Sequence, residues 1–320
     1  MDDKAQDASG MTLERMLDAG ASWLARRGVA DARLLCEWLA ASMLRCRRTA
    51  LPLGAVPPPE IVDALRSGMV RLAAHEPVQY VIGDWDFRML TLKTDRRALI
   101  PRPETEGLVQ MVLDEPRLWP PPARRSDDST IRRSDDPTIR RSDDLTIRRS
   151  DDLTIYDVGT GTGAIALSLA YERPQCRMVA VDCEEAALSL ARENAARLGL
   201  EDRVSFVLGR YCAGAAPASL DAVVSNPPYI ESAAVDALPP LIRDHEPRTA
   251  LDGGADGLAI IRNLVHDAAI ALKKGGFLFM EIGEHQGPVV LEILEGDGFA
   301  ETEIKKDLNG LTRYAKGRIV

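Results

Sequence analysis

A glycine-rich segment that begins at Asp157 holds residue types suited to binding a nucleoside. It runs Asp157-Val158-Gly159-Thr160-Gly161-Thr162-Gly163-Ala164 and lies between an apolar run and an alanine-rich run. Glycine lets the backbone pass close to a ligand, and the first turn of a helix offers unpaired N–H groups. Asp182 ends the next apolar run, VAVD, where a carboxylate can accept the hydroxyl groups of a ribose. Together these residues point to a cofactor that contains adenosine.

The glycine pattern alone leaves the identity of that cofactor open. Gly159, Gly161 and Ala164 also satisfy the GxGxx(G/A) pattern of dinucleotide-binding enzymes. S-adenosylmethionine and NAD therefore both fit, and a tight turn without a ligand is the third interpretation. Asp182 counts against the third interpretation, because a bare turn gives that carboxylate no task.

A second motif, Asn226-Pro227-Pro228-Tyr229, follows the apolar run DAVVS. A planar amide or aryl NH2 group is a poor nucleophile because the lone pair of its nitrogen is delocalised. The side-chain oxygen of Asn226 and the backbone carbonyl of Pro227 can accept the two N–H bonds of such a group, and Tyr229 can cover its flat face. Two consecutive prolines hold this backbone stiff. The motif therefore indicates methylation of a planar nitrogen, by positioning and by stabilising the positive charge that grows on it.

From residue 153 onward, strands alternate with helices and must position both motifs. Continuous apolar strands between amphipathic helices predict a doubly wound, mostly parallel sheet. Ligands of such sheets bind at the carboxyl ends of the strands, where both motifs lie. The predicted strands, seven in all, are LTIYDVG, RMVAVD, VSFVL, DAVVSN, GGFLFMEIG and two final strands near 299–306 and 311–318 that Asn309-Gly310 joins.

The residues before this region divide into two further parts. Helical spacing over about 12–27, 31–47 and 59–75 predicts a small helical domain, which we place at 1–76. Aromatic and β-branched residues alternate around Gly83-Asp84, which predicts a hairpin linker over 77–99. The remaining residues, 100–320, form the predicted catalytic domain, which opens with a helix after IPRP.

Four tandem octads fill residues 124–155: RRSDDSTI, RRSDDPTI, RRSDDLTI and RRSDDLTI. Each copy is charge-neutral and carries one or two strongly apolar side chains, so the tract cannot bury a core. We predict a disordered insert over 124–150 that arose by expansion of a coding repeat. The last copy differs, because its LTI begins the first strand of the sheet.

Composition excludes several classes of protein. The chain of 320 residues has 40 Lys plus Arg against 49 Asp plus Glu, so its net charge of −9 disfavours a broad nucleic-acid-binding surface. Five cysteines form no CxxC pair, which favours a reduced, cytoplasmic protein over a disulfide framework. The first ten residues lack the regions of a signal peptide, and no apolar run reaches the roughly 18 residues of a membrane span. The four histidines are scattered, so no metal site is expected.

The set GTGTGAI, VD, NPPY and PRPET resembles the HemK/PrmC family, the N5-glutamine methyltransferases of peptide chain release factors. The resemblance runs from about residue 77 to the C-terminus apart from the octads. It includes PVQYVIGDWDF at 77–87, EPRTALDGGADGL at 246–258 and GGFLFMEIGEHQG at 275–287. The helical residues 1–75 fit the family's N-terminal domain in kind and length.

The resemblance implies a Rossmann-like class I methyltransferase domain that uses S-adenosylmethionine. The implied substrate is the glutamine in the Gly-Gly-Gln loop of class 1 release factors, without direct binding to nucleic acid or membrane. The implied cofactor contacts are Gly159, Thr160, Gly161, Thr162, Gly163, Asp182, Tyr211 and Asn226. The implied catalytic and substrate contacts are Asn226, Pro227, Pro228 and Tyr229. One departure is Arg210, which stands where the family commonly has Asp before the aromatic residue.

Other functions remain open at this stage. Methylation of a glutamine in a ribosomal protein, or of an amino group of a DNA or RNA base, would use the same NPPY chemistry. A NAD-dependent oxidoreductase would use the glycine-rich turn but would leave NPPY without a task.

Overall fold

The computed structural model describes residues 10–119 and 153–320. Its first part consists of three helices, α1 (Leu13–Ala25), α2 (Ala32–Met43) and α3 (Pro59–Ala73), with a short 3-10 turn at Arg48–Ala50. Each helix buries one apolar face, as its spacing predicts. These faces meet in a small core that includes Leu13, Leu17, Leu24, Cys36, Leu39, Leu65 and Leu72.

A linker of one helical turn and a hairpin follows. Helix α4 (Val78–Ile82) ends at Gly83, which adopts a left-handed conformation with φ of 86°. Strands β1 (Asp84–Phe87) and β2 (Leu90–Lys93) then pair antiparallel, with Phe87 opposite Leu90. The predicted hairpin is present, but its predicted centre at Gly83-Asp84 was wrong. The turn lies at Arg88-Met89, and Gly83 ends a helix instead.

The part of the chain after the hairpin begins with α5 (Pro103–Leu113) and contains one sheet of seven strands. The strands are β3 (Leu153–Val158), β4 (Cys176–Asp182), β5 (Val204–Leu208), β6 (Leu220–Ser225), β7 (Leu272–Glu281), β8 (Phe299–Lys306) and β9 (Thr312–Ile319). The helices between them are α6 (Ala164–Glu172), α7 (Glu185–Leu198), α8 (Ser232–Val235), α9 (Pro240–Arg243), α10 (Ala259–Ala271) and α11 (Gly287–Gly296), with a 3-10 turn at Arg248–Ala250.

The strand order in the sheet is β5-β4-β3-β6-β7-β9-β8. Strands β3 to β7 are parallel, whereas β9 runs antiparallel to both of its neighbours. The strand order reverses between β3 and β6, and a sheet of this kind binds its ligand at such a switch point. Both predicted motifs follow the strands that meet there.

Buried apolar side chains cover both faces of the sheet. Because side chains alternate along a strand, Ile155 packs with α5 and α6 on one face, whereas Tyr156 packs with α10 on the other. Continuous apolar strands are the expected result of this double coverage. The octads up to Asp152 lie outside the described residues, and the LTI of the last copy begins β3 as predicted. Among the helices of the described ranges, none is long and apolar enough to cross a membrane.

Candidate active site

A cavity of about 370 Å³ lies at the carboxyl ends of β3, β4 and β6. The chain segment before α5 and the turn around Arg248 form its opposite wall. Pockets for small ligands have volumes of about 300–1,000 Å³, so this space is large enough to hold one. It collects most of the predicted site residues, since its lining includes Gly159, Gly161, Asp182, Tyr211, Asn226, Pro227 and Pro228.

The glycine-rich turn forms the floor of this cavity. Gly159, Gly161 and Gly163 have φ values of 73°, 56° and 85°, which other residues rarely adopt. A Cβ atom at Gly159 or Gly161 would come no closer than 3.8 Å to neighbouring atoms, so it would project into free space of the cavity. A Cβ atom at Gly163 would lie 2.9 Å from Leu167, so packing of α6 requires that glycine.

Thr160 and Thr162 support the turn from beneath and are both buried. The Thr160 hydroxyl donates to Asp157 Oδ2 at 2.6 Å, and the Thr162 carbonyl accepts from the amide of buried Asn194 at 2.9 Å. Asn194 also donates to the Lys93 carbonyl and accepts from the Lys93 N–H. The linker hairpin is therefore tied to the glycine-rich turn, a connection that the sequence did not reveal.

Asp157 is fully buried below the same turn. Its Oδ2 accepts from Thr160 and from the N–H of Ala166, whereas its Oδ1 has no partner among the described residues. Burial raises the pKa of this carboxyl to about 7. An unpartnered buried oxygen is rare in a folded protein and points to a further donor that is not part of the described chain.

Asp182 ends β4 at the edge of the cavity. Its Oδ2 accepts from the N–H of Gly161 at 2.9 Å and its Oδ1 from the N–H of Glu184 at 3.0 Å. Burial raises the pKa of this carboxyl, although both N–H groups favour its charged form. Each carboxylate oxygen can accept a further hydrogen bond, so Asp182 keeps the capacity to bind two ribose hydroxyls.

Tyr211 lies on the wall of the cavity in a left-handed conformation with φ of 52°. Its hydroxyl accepts from the Asn263 amide at 3.0 Å, which fixes the ring. Arg210, the departure from the family pattern, lines the same wall and is exposed.

The Asn226-Pro227 peptide presents two acceptors at the end of β6. Ser225, the last residue of the strand, donates its hydroxyl to the Val158 carbonyl at 2.7 Å and so joins β6 to β3. The Asn226 amide nitrogen donates to the Thr105 hydroxyl at 3.0 Å. Within residues 10–119 and 153–320, no donor reaches the Asn226 side-chain oxygen or the Pro227 carbonyl.

Tyr229 lies behind this loop, and it is not among the residues that line the cavity. Its hydroxyl donates to Glu281 Oε1 at 3.2 Å, and the Thr105 hydroxyl donates to Glu281 Oε2 at 2.7 Å. Glu281 is 1% exposed, and burial raises the pKa of its carboxyl. Neither Thr105 nor Glu281 has a residue type or spacing in the sequence that marks it as a site residue. The only signal was that both lie in the segments that resemble the family.

Residues 246–258 form a shelf beneath the NPPY loop. The Gly253 N–H donates to the Ile230 carbonyl at 2.8 Å, and a Cβ atom at Gly253 would lie 2.8 Å from the Pro228 carbonyl. A Cβ atom at Gly257 would lie 2.5 Å from the Tyr229 carbonyl. The glycines of this segment therefore permit close contact between two backbones, which holds the Pro228 and Tyr229 carbonyls in place.

A second and more open cleft of about 690 Å³ adjoins the cavity. Arg71, Glu76 and Tyr80 line it from the helical side, and Arg97 and Arg248 are shared with the cavity. The cleft therefore extends the cavity toward the helical part.

Fold and site together define a class I methyltransferase. The model named Methyltransferase small domain matches residues 145–245, and the model named PrmC N-terminal domain matches residues 15–83. The fold is also similar to that of the hMettl16 catalytic domain in complex with MAT2A 3'UTR hairpin 1. The TM-score of that match is 0.52 at 12% identity, and it covers 84% of this chain and 85% of the other.

Similar sequences define the family more closely. The release factor glutamine methyltransferase of Geobacter sulfurreducens is 34% identical over 96% of this chain and 97% of its own length. That of Moorella thermoacetica is 38% identical over 95% and 97%. The human MTRF1L release factor glutamine methyltransferase is 34% identical over 84% and 75%. The chain belongs to the release factor glutamine methyltransferase family.

Proposed function

We propose that this protein transfers a methyl group from S-adenosylmethionine to the side-chain amide nitrogen of the glutamine in the Gly-Gly-Gln loop of class 1 release factors. The observation that carries the proposal is a pair of acceptors, the Asn226 side-chain oxygen and the Pro227 carbonyl, to which no described residue donates, at the edge of a cavity large enough for a nucleoside. The names of its relatives favour a release factor over a ribosomal protein as the substrate.

The described residues fit S-adenosylmethionine. Gly159 and Gly161 leave room above the backbone, Asp182 has acceptor capacity for the ribose, and Tyr211 offers a ring edge or face to adenine. When bound, this cofactor supplies an electrophilic methyl group on a positively charged sulfur atom.

The chain's own part in the reaction is to orient the glutamine amide. The Asn226 side-chain oxygen and the Pro227 carbonyl accept its two N–H bonds, which holds the nitrogen in place and favours its pyramidal form. The same two oxygens stabilise the positive charge that grows on nitrogen during attack. The extra proton leaves to water after the methyl group has transferred, so no strong base is needed.

The open cleft suggests how a protein substrate reaches this site. A glutamine at the tip of a loop can pass between the helical part and the sheet, past Arg97 and Arg248. We therefore propose residues 1–76 as a substrate-docking domain, 77–99 as the linker and 100–320 as the catalytic domain. Such a substrate places the enzyme in the cytoplasm.

Labelled methyl transfer tests the proposal. Purified protein and labelled S-adenosylmethionine are incubated in parallel with a release factor, a ribosomal protein and duplex DNA. We expect label in the release factor alone, and none when the glutamine of its Gly-Gly-Gln loop is replaced by alanine. Label in the ribosomal protein or the DNA, but not in the release factor, would establish one of the other substrates. Calorimetry with S-adenosylmethionine and NADH separates the methyltransferase from an oxidoreductase.

The variant Asn226→Ala tests the role of the acceptor. Removing one oriented polar group from an active site lowers the rate by about 10²-fold or more, and we expect a loss of this size. Circular dichroism should show an unchanged fold, because Asn226 is only half-buried. Turnover close to that of the parent protein would remove Asn226 from the mechanism.

A further inference from the structure

Three polar side chains from distant parts of the chain form a line of hydrogen bonds that starts behind the cavity and ends at its wall. Glu281 ends β7, Thr105 lies in the first turn of α5, and Asn226 follows β6. The Thr105 hydroxyl donates to Glu281 Oε2 at 2.7 Å and accepts from the Asn226 amide nitrogen at 3.0 Å. Thr105 and Glu281 are 5% and 1% exposed, so water does not compete for these bonds.

The direction of these hydrogen bonds follows from the number of protons available. The hydrogen bonds from Thr105 and Tyr229 favour the ionised form of Glu281, which can only accept, and a threonine hydroxyl has a single proton to donate. Because Thr105 donates its proton to Glu281, its oxygen is left to accept from Asn226. Asn226 must then turn its NH2 group toward Thr105, which turns its side-chain oxygen toward the cavity.

We propose that Glu281, acting through Thr105, is a positioning residue that determines which end of the Asn226 amide faces the substrate. The proposal rests on the proposed function, in which the Asn226 oxygen accepts an N–H bond from the glutamine amide. An asparagine turned the other way would present its NH2 group to that amide, donor against donor. The asparagine amide has two possible orientations, and the line of hydrogen bonds excludes the unproductive one at Asn226.

Tyr229 completes the arrangement from the other side of Glu281. Its hydroxyl donates to Oε1 at 3.2 Å, so the two carboxylate oxygens have two different donors. A glutamine at position 281 has one oxygen and one NH2 group, and it cannot accept from both Tyr229 and Thr105. If the side-chain oxygen in the variant Glu281→Gln keeps its hydrogen bond from Tyr229, the NH2 group faces Thr105 and reverses the direction of the hydrogen bonds.

This reversal supplies the first test, a double-mutant cycle. Asn226→Asp leaves Thr105 between two carboxylates with one proton, and we expect a loss of kcat/KM of about 10²-fold, as for removal of one oriented group. Glu281→Gln adds the missing donor, so Thr105 can donate to the carboxylate at 226, which still presents an acceptor to the substrate. We expect the double variant to recover about tenfold relative to Asn226→Asp alone, the effect of about one hydrogen bond. The single variant Glu281→Gln is measured as well. If the loss of kcat/KM in the double variant equals the product of the losses in the two single variants, the proposal is overturned.

A matched pair at Thr105 supplies the second test. Thr105→Val keeps the shape but removes the hydroxyl, whereas Thr105→Ser keeps the hydroxyl. We expect kcat to fall about tenfold in Thr105→Val, with the cofactor Kd unchanged, and to stay within about threefold in Thr105→Ser. Equal activity of the two variants would contradict the proposal.

A measurement without turnover separates this inference from the proposed function. In ¹⁵N-labelled protein, the side-chain NH2 signal of Asn226 is assigned by its absence in Asn226→Ala. We expect its proton toward Thr105 to exchange slowly with solvent in the parent protein and in Thr105→Ser, and rapidly in Thr105→Val. Fast exchange in the parent protein would refute the positioning line even if release factors are methylated. Slow exchange in a protein that methylates no release factor would refute the proposed substrate and not the line.

Discussion

Asp182 shows how one carboxylate can serve both the fold and a ligand. Its oxygens accept from the N–H groups of Gly161 and Glu184, and each keeps a free lone pair at the cavity. Ribose contacts are nearly the same in the ground state and the transition state, so losing them weakens binding without slowing the bound complex. A ribose-binding role for Asp182 can therefore be tested by comparing the effect of a substitution on cofactor affinity with its effect on kcat.

We predict that Asp182→Ala raises the cofactor Kd by about 10–100-fold, the effect of losing hydrogen bonds to a charged group, and changes kcat at saturating cofactor by less than about threefold. Calorimetry gives the first quantity and steady-state kinetics the second. Glu185→Ala is the matched control, because it removes an exposed carboxylate close by that does not line the cavity. An unchanged Kd in Asp182→Ala would mean that another residue binds the ribose.

Asp157 gives a prediction on stability and pH. Burial raises the pKa of its carboxyl from the ordinary value of 3.8 to about 7, so the folded state binds its proton more tightly than the unfolded state does. Its contribution to stability is therefore complete below about pH 4 and is lost as pH rises through 7. We expect the loss of this contribution to lower the free energy of unfolding of the cofactor-free protein by up to about 1.4 kcal/mol per pH unit as the pH rises from 5 to 7.

The comparison with Asp157→Asn isolates this contribution. Asp182 and Glu281 also have raised pKa values, but both proteins retain these groups, so the difference between the two slopes belongs to Asp157. Urea unfolding at pH 5, 6 and 7 should therefore give a smaller slope in Asp157→Asn than in the parent protein. Identical slopes would show that Asp157 keeps the same charge over this range.

The residues that bear the chemistry could be found from the sequence, but those that orient them could not. NPPY and the glycine-rich turn are contiguous motifs, and their residue types indicate methylation of a planar nitrogen and binding of a nucleoside. Thr105 and Glu281 are 176 positions apart and meet only because α5 packs beside β7. A single sequence does not contain that contact, so the line behind Asn226 emerged only from the structure.

At the scale of elements, Arg88 holds the hairpin of β1 and β2 against α5 and α6. It lies in the turn between β1 and β2 with φ of 52°. Its Nε and Nη2 donate to the two oxygens of Glu172 at 2.7 and 2.9 Å, and Nη1 donates to the Glu106 carbonyl at 3.1 Å. The two side chains of the ion pair are 13% and 22% exposed, so the pair is largely shielded from solvent.

We predict that Arg88→Ala lowers the free energy of unfolding by about 1–3 kcal/mol, because removing one partner of a partly buried ion pair leaves the other charge unpaired in a shielded site. The neighbouring Met89→Ala is the control, since Met89 is 72% exposed and its loss should change stability by less than about 0.5 kcal/mol. Chemical denaturation measures both. If the two variants are equally stable, the ion pair does not anchor the hairpin.

The same hairpin shows why its centre could not be located from the sequence. Gly83 suits a hairpin turn, yet it suits the end of a helix equally well, and α4 uses it there. The residue that takes the left-handed conformation in the turn is Arg88, which the ion pair with Glu172 supports. Helix α4 has only five residues, too few for a periodic pattern to appear. Strands β3 to β7 were predictable because each contains an apolar run, and β8 and β9 were predictable from the Asn309-Gly310 turn that joins them.

At the scale of the whole molecule, a chain of hydrogen bonds connects the helical part to the cavity. Arg71 of α3 donates to both oxygens of Glu76 and to the Tyr80 carbonyl. The Tyr80 hydroxyl donates to the carbonyl of Ala98, which lines the cavity. The position of the helical part relative to the cavity is therefore fixed by polar contacts.

The octads interrupt this molecule between two segments that are each fixed independently of them. On the preceding side, Leu118 is buried in the core and the Trp119 indole N–H donates to the Val112 carbonyl at 2.7 Å. On the following side, the Thr154 N–H donates to Asp221 at 2.8 Å as β3 begins. The four copies lie outside the described residues up to Asp152, so their sequence alone supports the expectation of a disordered insert.

We predict that deleting residues 124–147 leaves a folded and active enzyme. The deletion removes three neutral octads and keeps Arg148 to Ile155, so the net charge stays at −9 and β3 keeps its lead-in. Loop-closure entropy depends only logarithmically on length, so the stability should change by about 1 kcal/mol at most. Denaturation and labelled methyl transfer, measured beside the parent protein, should give nearly equal free energies of unfolding and rates. A large fall in the rate with unchanged stability would show that the octads contact substrate or cofactor, and the expectation of an inert insert would have to be abandoned.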